Sequence, residues 1–221
     1  MKKIIVAIDG LAATGKSTLA KRLAKELNYT YINTGAMYRA ITYYALENNL
    51  DQIDLISVLP DLSIRFEEEN NSQKALLNDE DITNELHSMK VANQVSIIAS
   101  ISKVREFLVD QQRKMGIQKG IVMDGRDIGT VVFPEAECKF FLTANVEIRA
   151  QRRIDELHQL GNSASYDKVV ENLVSRDNTD SNRDISPLTK ALDAITVDVS
   201  ELTLEEVYSI LKGRVMTILE R

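Results

Sequence analysis

The chain has 221 residues, of which 44% are hydrophobic and 27% charged, the balance of an ordinary soluble globular protein. Its net charge of −6 argues against general nucleic-acid binding, and no apolar run approaches the ~20 residues that cross a bilayer. The lone cysteine, Cys138, excludes a disulfide framework, and the two histidines lack the spacing of a zinc site. The length suits one α/β domain that carries small insertions.

Short apolar strands alternate with amphipathic helices along the chain, which predicts a parallel sheet covered by helices. Five strands are predicted, at residues 4–9, 29–33, 121–124, 138–142 and 194–199. Helices are predicted from residue 16 to about 27, at 36–49, from about 84 to 115 with a break near 100–102, and from about 146 to 160. The last helix begins with a capping box, Thr203 with Glu206 three residues later.

Two stretches interrupt this alternation. Residues 64–66 and 75–77 have the pattern of two strands joined by a polar turn at 67–74, with a third short strand near 81–83. Together they predict a small antiparallel insert in the α/β core. The polar segment 161–165 lies between two charged helices, and we interpret it as the tip of a mobile flap.

The segment Gly-Leu-Ala-Ala-Thr-Gly-Lys-Ser at residues 10–17 follows a predicted strand and opens a predicted helix. Glycines in such a loop let consecutive backbone N–H groups converge on a phosphate, and the helix dipole adds positive potential there. Lys16 would reach the β- and γ-phosphates, and the Ser17 hydroxyl would ligate Mg²⁺. The predicted ATP-binding residues are Gly10, Leu11, Ala12, Ala13, Thr14, Gly15, Lys16, Ser17 and Thr18.

An apolar strand at 121–124 ends in Asp124, the acidic residue that we expect to hold Mg²⁺ or its water together with Ser17. Residues 125–130, Gly-Arg-Asp-Ile-Gly-Thr, follow at once. Ligands of open α/β sheets bind outside the carboxyl ends of the strands, so this segment is expected near the substrate.

Arginines are the third chemical signal, because a phosphoryl transferase needs cations around the migrating group and arginine makes forked contacts with phosphate. On the helix predicted at 146–160, Arg149, Arg152 and Arg153 share a face, and Arg152 could pair with Glu156 four residues later. A phosphate acceptor is already ionised near neutral pH, so no catalytic base is required, and the absence of a histidine or nucleophile motif fits.

Three segments, read with the loop at 10–17, resemble the bacterial cytidylate kinases: Asn-Thr-Gly-Ala-Met-Tyr-Arg-Ala at 33–40, Asp-Gly-Arg-Asp-Ile-Gly-Thr-Val-Val-Phe-Pro at 124–134, and the spaced Arg-Asp, Asp, Arg and Pro-Leu of 176–188. They occur in the family's order and cover the chain nearly end to end. Adenylate kinases would be expected to have Gly-Phe-Pro-Arg where this chain has Gly-Arg-Asp-Ile at 125–128. Thr34 stands where some relatives have serine, and the hydroxyl is kept.

The resemblance implies a three-layer P-loop kinase fold of the α/β class, with a central parallel sheet flanked by helices, a small antiparallel β insert and a helical lid. A single domain would then comprise a core at about 1–60, 84–148 and 170–221, a CMP-binding insert at about 61–83 and a lid at about 149–169. The implied activity is the ATP- and Mg²⁺-dependent phosphorylation of CMP and dCMP by a cytoplasmic monomer, with neither nucleic acid nor membrane as a partner.

The resemblance also implies roles for individual residues. The CMP-binding residues carried over by position are Thr34, Arg39, Ser96, Arg105, Arg126, Asp127, Arg176, Asp180 and Arg183. Arg39 and Arg126 would hold the CMP phosphate with Arg183 nearby, and Arg176 and Asp180 would meet the sugar. Ser96, Arg105 and Asp127 would face cytosine. The implied catalytic residues are Lys16, Arg126, Arg183, Arg152 and Arg153.

Cytosine presents an amino donor at position 4 and acceptors at N3 and O2. A carboxylate at Asp127 suits the amino group, while Arg105 and the Ser96 hydroxyl suit the acceptors; Ser100 and Ser102 lie close enough in sequence to leave the register of Ser96 open. Uracil would place an acceptor against the carboxylate, which predicts discrimination by repulsion as well as attraction.

Other interpretations remain open from the sequence. The loop alone also suits another small-molecule P-loop kinase, for a different nucleotide or for a metabolite such as shikimate. A guanine-nucleotide switch would usually carry an Asn-Lys-x-Asp segment, and none occurs in the chain. A nucleic-acid-dependent ATPase is disfavoured by the acidic charge balance and the small size.

Overall fold

The computed structural model describes residues 2–69, 72–159, 161 and 163–220. The strands in chain order are β1 Ile5–Gly10, β2 Thr30–Asn33, β3 Ile64–Glu69, β4 Ser72–Leu77, β5 Glu80–Asp81, β6 Ile121–Asp124, β7 Cys138–Thr143 and β8 Ile195–Asp198. The α-helices are α1 Lys16–Leu27, α2 Thr34–Glu47, α3 Gln52–Val58, α4 Met89–Ile98, α5 Ser102–Met115, α6 Val146–Gln159, α7 Tyr166–Asn182 and α8 Leu204–Leu219. Short 3₁₀ turns occur at Leu59–Asp61 and Glu85–His87, and a π turn at Ile128–Val132.

The chain forms two compact units, one from residues 1–31 and 116–221 and the other from residues 32–115. The first contains a five-stranded sheet in the order β2-β6-β1-β7-β8. The pairs β1–β6, β1–β7 and β7–β8 are parallel, with Val6 opposite both Val122 and Cys138. This confirms the predicted parallel sheet.

One apolar cluster holds the first unit together. It joins the β1, β6, β7 and β8 side chains to the buried faces of α1 and α8, and its fully buried members include Leu23, Phe140 and Leu211. Cys138 belongs to this cluster as a small buried side chain. Burying these faces holds the parallel strands β1 and β6 in place, so their carboxyl ends lie at the same edge of the sheet. Asp124, one of the predicted site residues, lies at that edge.

The second unit contains the antiparallel sheet β3-β4-β5, which confirms the predicted β insert. Its strands are longer than expected, because β3 and β4 continue into the stretch assigned to a polar turn and pair Glu67 with Lys74 across the ladder. Opposite charges stabilise such a cross-strand pair without apolar side chains. Residues 70 and 71 of the predicted turn lie outside the described residues.

Other element boundaries also differ from the sequence prediction. The third strand is Glu80–Asp81 instead of 81–83, because the Thr83 side chain accepts the Ala75 N–H (3.0 Å) and donates to Asp81 (2.6 Å). Helix α3 was not predicted; it is only 7 residues long, and Asp51 caps it by accepting the N–H groups of Ile53 and Asp54.

The predicted helix at 84–115 divides into a 3₁₀ turn, α4 and α5, and its break falls at residues 99–101, close to where it was expected. The capping box of α8 is present as predicted, with Thr203 and Glu206 bonded reciprocally. The predicted end of α6 at residue 160, and residue 162 of the predicted flap tip, lie outside the described residues. No helix in the described part of the chain combines the length and apolar character needed to cross a membrane.

Candidate functional site

The phosphate-binding loop begins where β1 ends at Gly10, whose φ of +143° and close approach to β7 both require glycine. A Cβ atom there would lie 2.0 Å from the Leu142 carbonyl oxygen. Leu11 donates its N–H to that oxygen at 3.1 Å, and the turn is completed by left-handed residues at Ala13 and Gly15 before α1 begins at Lys16. The loop predicted at residues 10–17 therefore has the expected strand-loop-helix setting.

Lys16 is buried and folds back over its own loop. Its Nζ donates to the Leu11 carbonyl at 2.5 Å and to Thr14 Oγ1 at 3.3 Å. Burial, and after it the charge of Arg126, lowers the pKa of Lys16 to about 7, while nearby carboxylates oppose the shift. A negatively charged ligand at the loop would offset both effects and favour the charged amine.

Two side chains with oxygen atoms suited to a metal ion, Ser17 at the start of α1 and Asp124 at the end of β6, lie next to each other. The Ser17 hydroxyl donates to Asp124 Oδ2 at 2.8 Å, and the other oxygen of Asp124 accepts from the Tyr31 hydroxyl at 2.9 Å. The structure thus brings together the two residues predicted to hold the metal. Tyr31 was not predicted, and only its position in the strand next to β6 could have indicated a role.

Arg126 and Arg183 meet on one carboxylate. Arg126 Nε lies 2.9 Å from Asp180 Oδ2, and Arg183 Nη1 lies 3.5 Å from Asp180 Oδ1. Arg183 also donates from Nε to the Ser186 carbonyl at 2.6 Å. Arg176, also predicted to bind CMP, is on α7 one turn before Asp180 and is partly buried. A guanidinium held from behind by a carboxylate presents its remaining N–H groups in a fixed direction.

Asp9 is the main feature that the sequence interpretation missed. Its two oxygens accept the N–H groups of Ile128 (2.8 Å) and Gly129 (2.7 Å), so the end of β1 fixes the segment that carries Arg126 and Asp127. Burial raises the pKa of Asp9 to about 7; the two backbone N–H groups and Lys16 oppose this shift, and Asp127 adds to it. The Asp-Gly ending of a central strand was the available signal.

The arginines of α6 have three different partners. Arg149 is buried and pairs with Asp177 on α7. Arg152 donates to the Val199 carbonyl at 2.9 Å, and Arg153, not the expected Arg152, pairs with Glu156 at 2.7 Å. The three arginines lie on one helix at the predicted spacing, but their guanidinium groups reach in different directions.

The other residues predicted to bind CMP lie in the second unit. Thr34 and Arg39 are on α2, which begins where Asn33 accepts the Ala36 N–H at 3.0 Å; Ser96 is on α4. Arg105 on α5 is 2% exposed, donates to the Ala99 carbonyl at 3.2 Å, and lies 5.3 Å from the centre of the Tyr38 ring. Tyr38 is therefore a third residue, after Tyr31 and Asp9, that sequence reasoning did not single out.

Comparison with known proteins identifies the relatives of this chain. Residues 6–216 match the family model described as Cytidylate kinase. A cytidylate kinase of Flavobacterium johnsoniae is 51% identical over 217 residues, which cover 95% of this chain and 94% of the relative. A cytidylate kinase of Flavobacterium psychrophilum is 50% identical over 226 residues, which cover 99% and 100%.

Solved structures show the fold. The crystal structure of a shikimate kinase from Bacteroides thetaiotaomicron matches over 100% of both chains with a TM-score of 0.53 and 12% sequence identity. At that identity the likeness extends to the P-loop kinase architecture and not to the substrate.

The raised pKa of Asp9 predicts a pH dependence of stability. The unfolded carboxyl titrates near 3.8 and the folded one near 7, so the folded chain retains a proton that the unfolded chain has lost. This contribution is fully present below about pH 4 and is lost as the pH rises through 7. Between pH 5 and 8 the unfolding free energy of the wild type should fall, relative to that of Asp9→Asn, by about 2 to 3 kcal/mol.

Urea denaturation of both proteins across this pH range measures the difference. Lys16 contributes a slope of the opposite sign in both proteins, so most of its contribution cancels; the difference between the curves reports Asp9 together with its coupling to Lys16. Asp155→Asn, an exposed change of the same chemistry on α6, should keep the wild-type slope. Parallel curves for the wild type and Asp9→Asn would refute the assignment.

Proposed function

The chain belongs to the cytidylate kinase family, a family of phosphotransferases that act on a nucleoside monophosphate, and from that premise we propose how its residues divide the transfer of the ATP γ-phosphoryl group to CMP or dCMP. The observation that carries the proposal is the pairing of Ser17 with Asp124 immediately after the phosphate-binding loop. It combines a loop that can bind a triphosphate with oxygen ligands for its metal ion.

ATP binds through residues 10–18 in this proposal. The N–H groups of the loop converge on the β- and γ-phosphates, and the dipole of α1 adds favourable potential at the same point. Lys16 exchanges its bonds to Leu11 and Thr14 for phosphate oxygens. The polyanion raises the pKa of this lysine from its value of about 7, so Lys16 is charged when ATP is present.

Mg²⁺ is held by Ser17 and Asp124, whose hydroxyl and carboxylate oxygens are the ligands that this ion prefers. Among the described residues there is no cluster of three His, Cys, Asp or Glu side chains that could hold a metal. That fits an ion which keeps several waters and takes further ligands from the substrate. When bound, Mg²⁺ neutralises charge on the phosphate oxygens.

We assign the CMP phosphate to Arg39 and Arg126, together with Arg183. Asp180 supports this assignment because it pairs with both Arg126 and Arg183 and so holds the two guanidinium groups close together. Transfer then requires in-line positioning and charge stabilisation, for which we propose Lys16, Arg126, Arg183, Arg152 and Arg153. The acceptor oxygen is ionised already, so no residue acts as a general base.

The nucleoside of CMP is recognised by polar side chains whose chemistry complements cytosine and the sugar. Asp127 accepts from the 4-amino group, and Arg105 and Ser96 donate to the ring acceptors. Thr34 completes the set, and Arg176 and Asp180 contact the sugar. Asp127 and Arg105 are 4% and 2% exposed, a degree of burial at which an uncomplemented polar group on the wrong base is costly.

We also propose that the enzyme acts as a cytoplasmic monomer. Neither nucleic acid nor a membrane is needed as a partner for a reaction between two small molecules. A sedimentation experiment in the presence of both nucleotides tests the oligomeric state.

The first test compares acceptors. With ATP and Mg²⁺, the purified protein should form CDP from CMP and dCDP from dCMP, and should use UMP and AMP poorly. Chromatographic product analysis measures each conversion. A folded protein that leaves CMP unchanged under these conditions would contradict the activity.

Asp127→Ala should narrow the preference for CMP over UMP. The change removes the acceptor for the cytosine amino group and also the repulsion of the uracil oxygen, so the ratio of kcat/KM values should fall roughly tenfold or more. Asp110→Asn, an exposed carboxylate paired with Lys114 on α5, is the charge-matched control and should keep the ratio. An unchanged ratio in Asp127→Ala would remove this residue from base recognition.

Asp124→Asn should raise the Mg²⁺ concentration required for half-maximal CDP formation by roughly 100-fold or more, because losing the charge of a ligand costs more than the 10- to 100-fold typical of losing a group that supports it. Tyr31→Phe is the matched control: it removes one hydrogen bond to the same carboxylate but keeps the charge, and should have a smaller effect. Identical Mg²⁺ titrations for the wild type and Asp124→Asn would exclude this carboxylate from metal binding.

A further inference from the structure

We propose that Asp177 and Arg149 form a positioning pair that fixes Ala12 of the phosphate-binding loop against helices α6 and α7. The inference rests on the proposed binding of ATP by this loop. Neither residue contacts the reacting atoms in this account; both act through the loop backbone.

Both backbone groups of Ala12 are held by this pair. Its N–H donates to Asp177 Oδ1 at 3.2 Å, and its carbonyl oxygen accepts from Arg149 Nη1 at 3.3 Å. Arg149 Nη1 also pairs with Asp177 Oδ2, while its Nε donates to the Ala144 carbonyl at 3.0 Å. Two side chains therefore connect the loop at Ala12 to Ala144, which lies just before α6, and to α7.

The pair is largely withdrawn from water, with 6% of the Arg149 and 12% of the Asp177 side chain exposed. A carboxylate beside a loop that binds polyphosphate would repel the ligand if it stood alone. Arg149 neutralises it, so Asp177 can accept a loop N–H without placing a net negative charge at the phosphates. Removing one member would leave the other buried and uncompensated.

The Ala12 side chain is held as firmly as its backbone. It belongs to a small apolar cluster with Ala150 and Leu157 of α6 and Val169 and Leu173 of α7. Ala13, whose φ is +58°, packs against the same cluster. Ala12 is thus the point at which the loop is attached to both helices, by apolar contact on one side and by hydrogen bonds on the other.

A loop that must direct several N–H groups at one phosphate loses conformational entropy on binding unless it is already ordered. Restraining its third residue supplies part of that order before ATP arrives. A displacement of about 1 Å at a substrate-positioning group can cost ~100-fold in rate. Disrupting the pair should therefore weaken the binding and use of the nucleoside triphosphate and leave the binding of the monophosphate largely unchanged.

The test uses Asp177→Asn and Arg149→Lys in the full-length enzyme. The first keeps an amide oxygen for the Ala12 N–H but loses the charge; the second keeps the charge but loses the fork that reaches Asp177, Ala12 and Ala144 at once. Each should lower kcat/KM for ATP about 10- to 100-fold and change KM for CMP by no more than about twofold. Glu171→Gln removes an exposed charge from α7 and should match the wild type.

A second measurement separates loop positioning from catalysis. Binding of inorganic tripolyphosphate, followed by calorimetry, should weaken in both variants and not in Glu171→Gln. Because both residues act on Ala12, the double variant should be no worse than the more affected single variant. This reading does not require CMP turnover, so it remains informative if the wild type fails to phosphorylate CMP.

Two results would overturn the inference. One is folded variants with wild-type kinetics for ATP and unchanged tripolyphosphate binding. The other is an equal loss toward ATP and CMP that follows a lowered melting temperature, which is what a purely structural pair would give. If Asp177→Asn does not fold, Arg149→Lys decides between these outcomes.

Discussion

The cost of removing charges from water determines how the charged side chains are arranged at the edge of the sheet where β1 and β6 end. Asp9, Lys16, Asp124 and Asp127 are all buried there, and burial brings the pKa values of both Asp9 and Lys16 to about 7. Each group whose bonds are described has a compensating partner: backbone N–H groups for Asp9, a carbonyl for Lys16, hydroxyls for Asp124. A bound polyphosphate would supply the negative charge that raises the pKa of Lys16 and keeps its amine protonated.

Carboxylates at an anion-binding edge would be unfavourable if they faced the anion directly. In the proposed complex, Asp9 and Asp180 lie behind the groups that face the anion. Asp180 pairs with Arg126 and Arg183, and Asp9 accepts the backbone N–H groups of Ile128 and Gly129. Fixed donors do not have to reorganise when charge moves during a reaction, so in the proposed mechanism the stability lost in burying acids would be recovered as transition-state stabilisation.

The elements predicted from sequence were those with strong local signals. Apolar runs gave β1, β6 and β7, and the loop at residues 10–17 carries its own conformational requirements. Helix α3 has only 7 residues, too few for a helical period to be recognised in the sequence, although its Asp51 cap was visible. The β3–β4 ladder was cut short because polar residues such as Lys74 were taken for a turn, whereas pairing depends on the opposite strand. Asp9 and Tyr31 gain their roles only from residues about 100 positions away.

Helical spacing placed Arg149, Arg152 and Arg153 on one face but could not assign their partners, because a guanidinium reaches far enough to choose among several. Their observed bonds separate them. Arg149 is committed to a buried ion pair whose loss is expensive, whereas Arg153 pairs with a Glu156 side chain that is 51% exposed. An exposed pair contributes about 0–1 kcal/mol, so a phosphate can replace it at little cost. Arg152, bound to one carbonyl, is intermediate. The ease with which each bond can be exchanged therefore favours Arg153 and then Arg152 for the proposed contact with the transferring group, and leaves Arg149 to the loop.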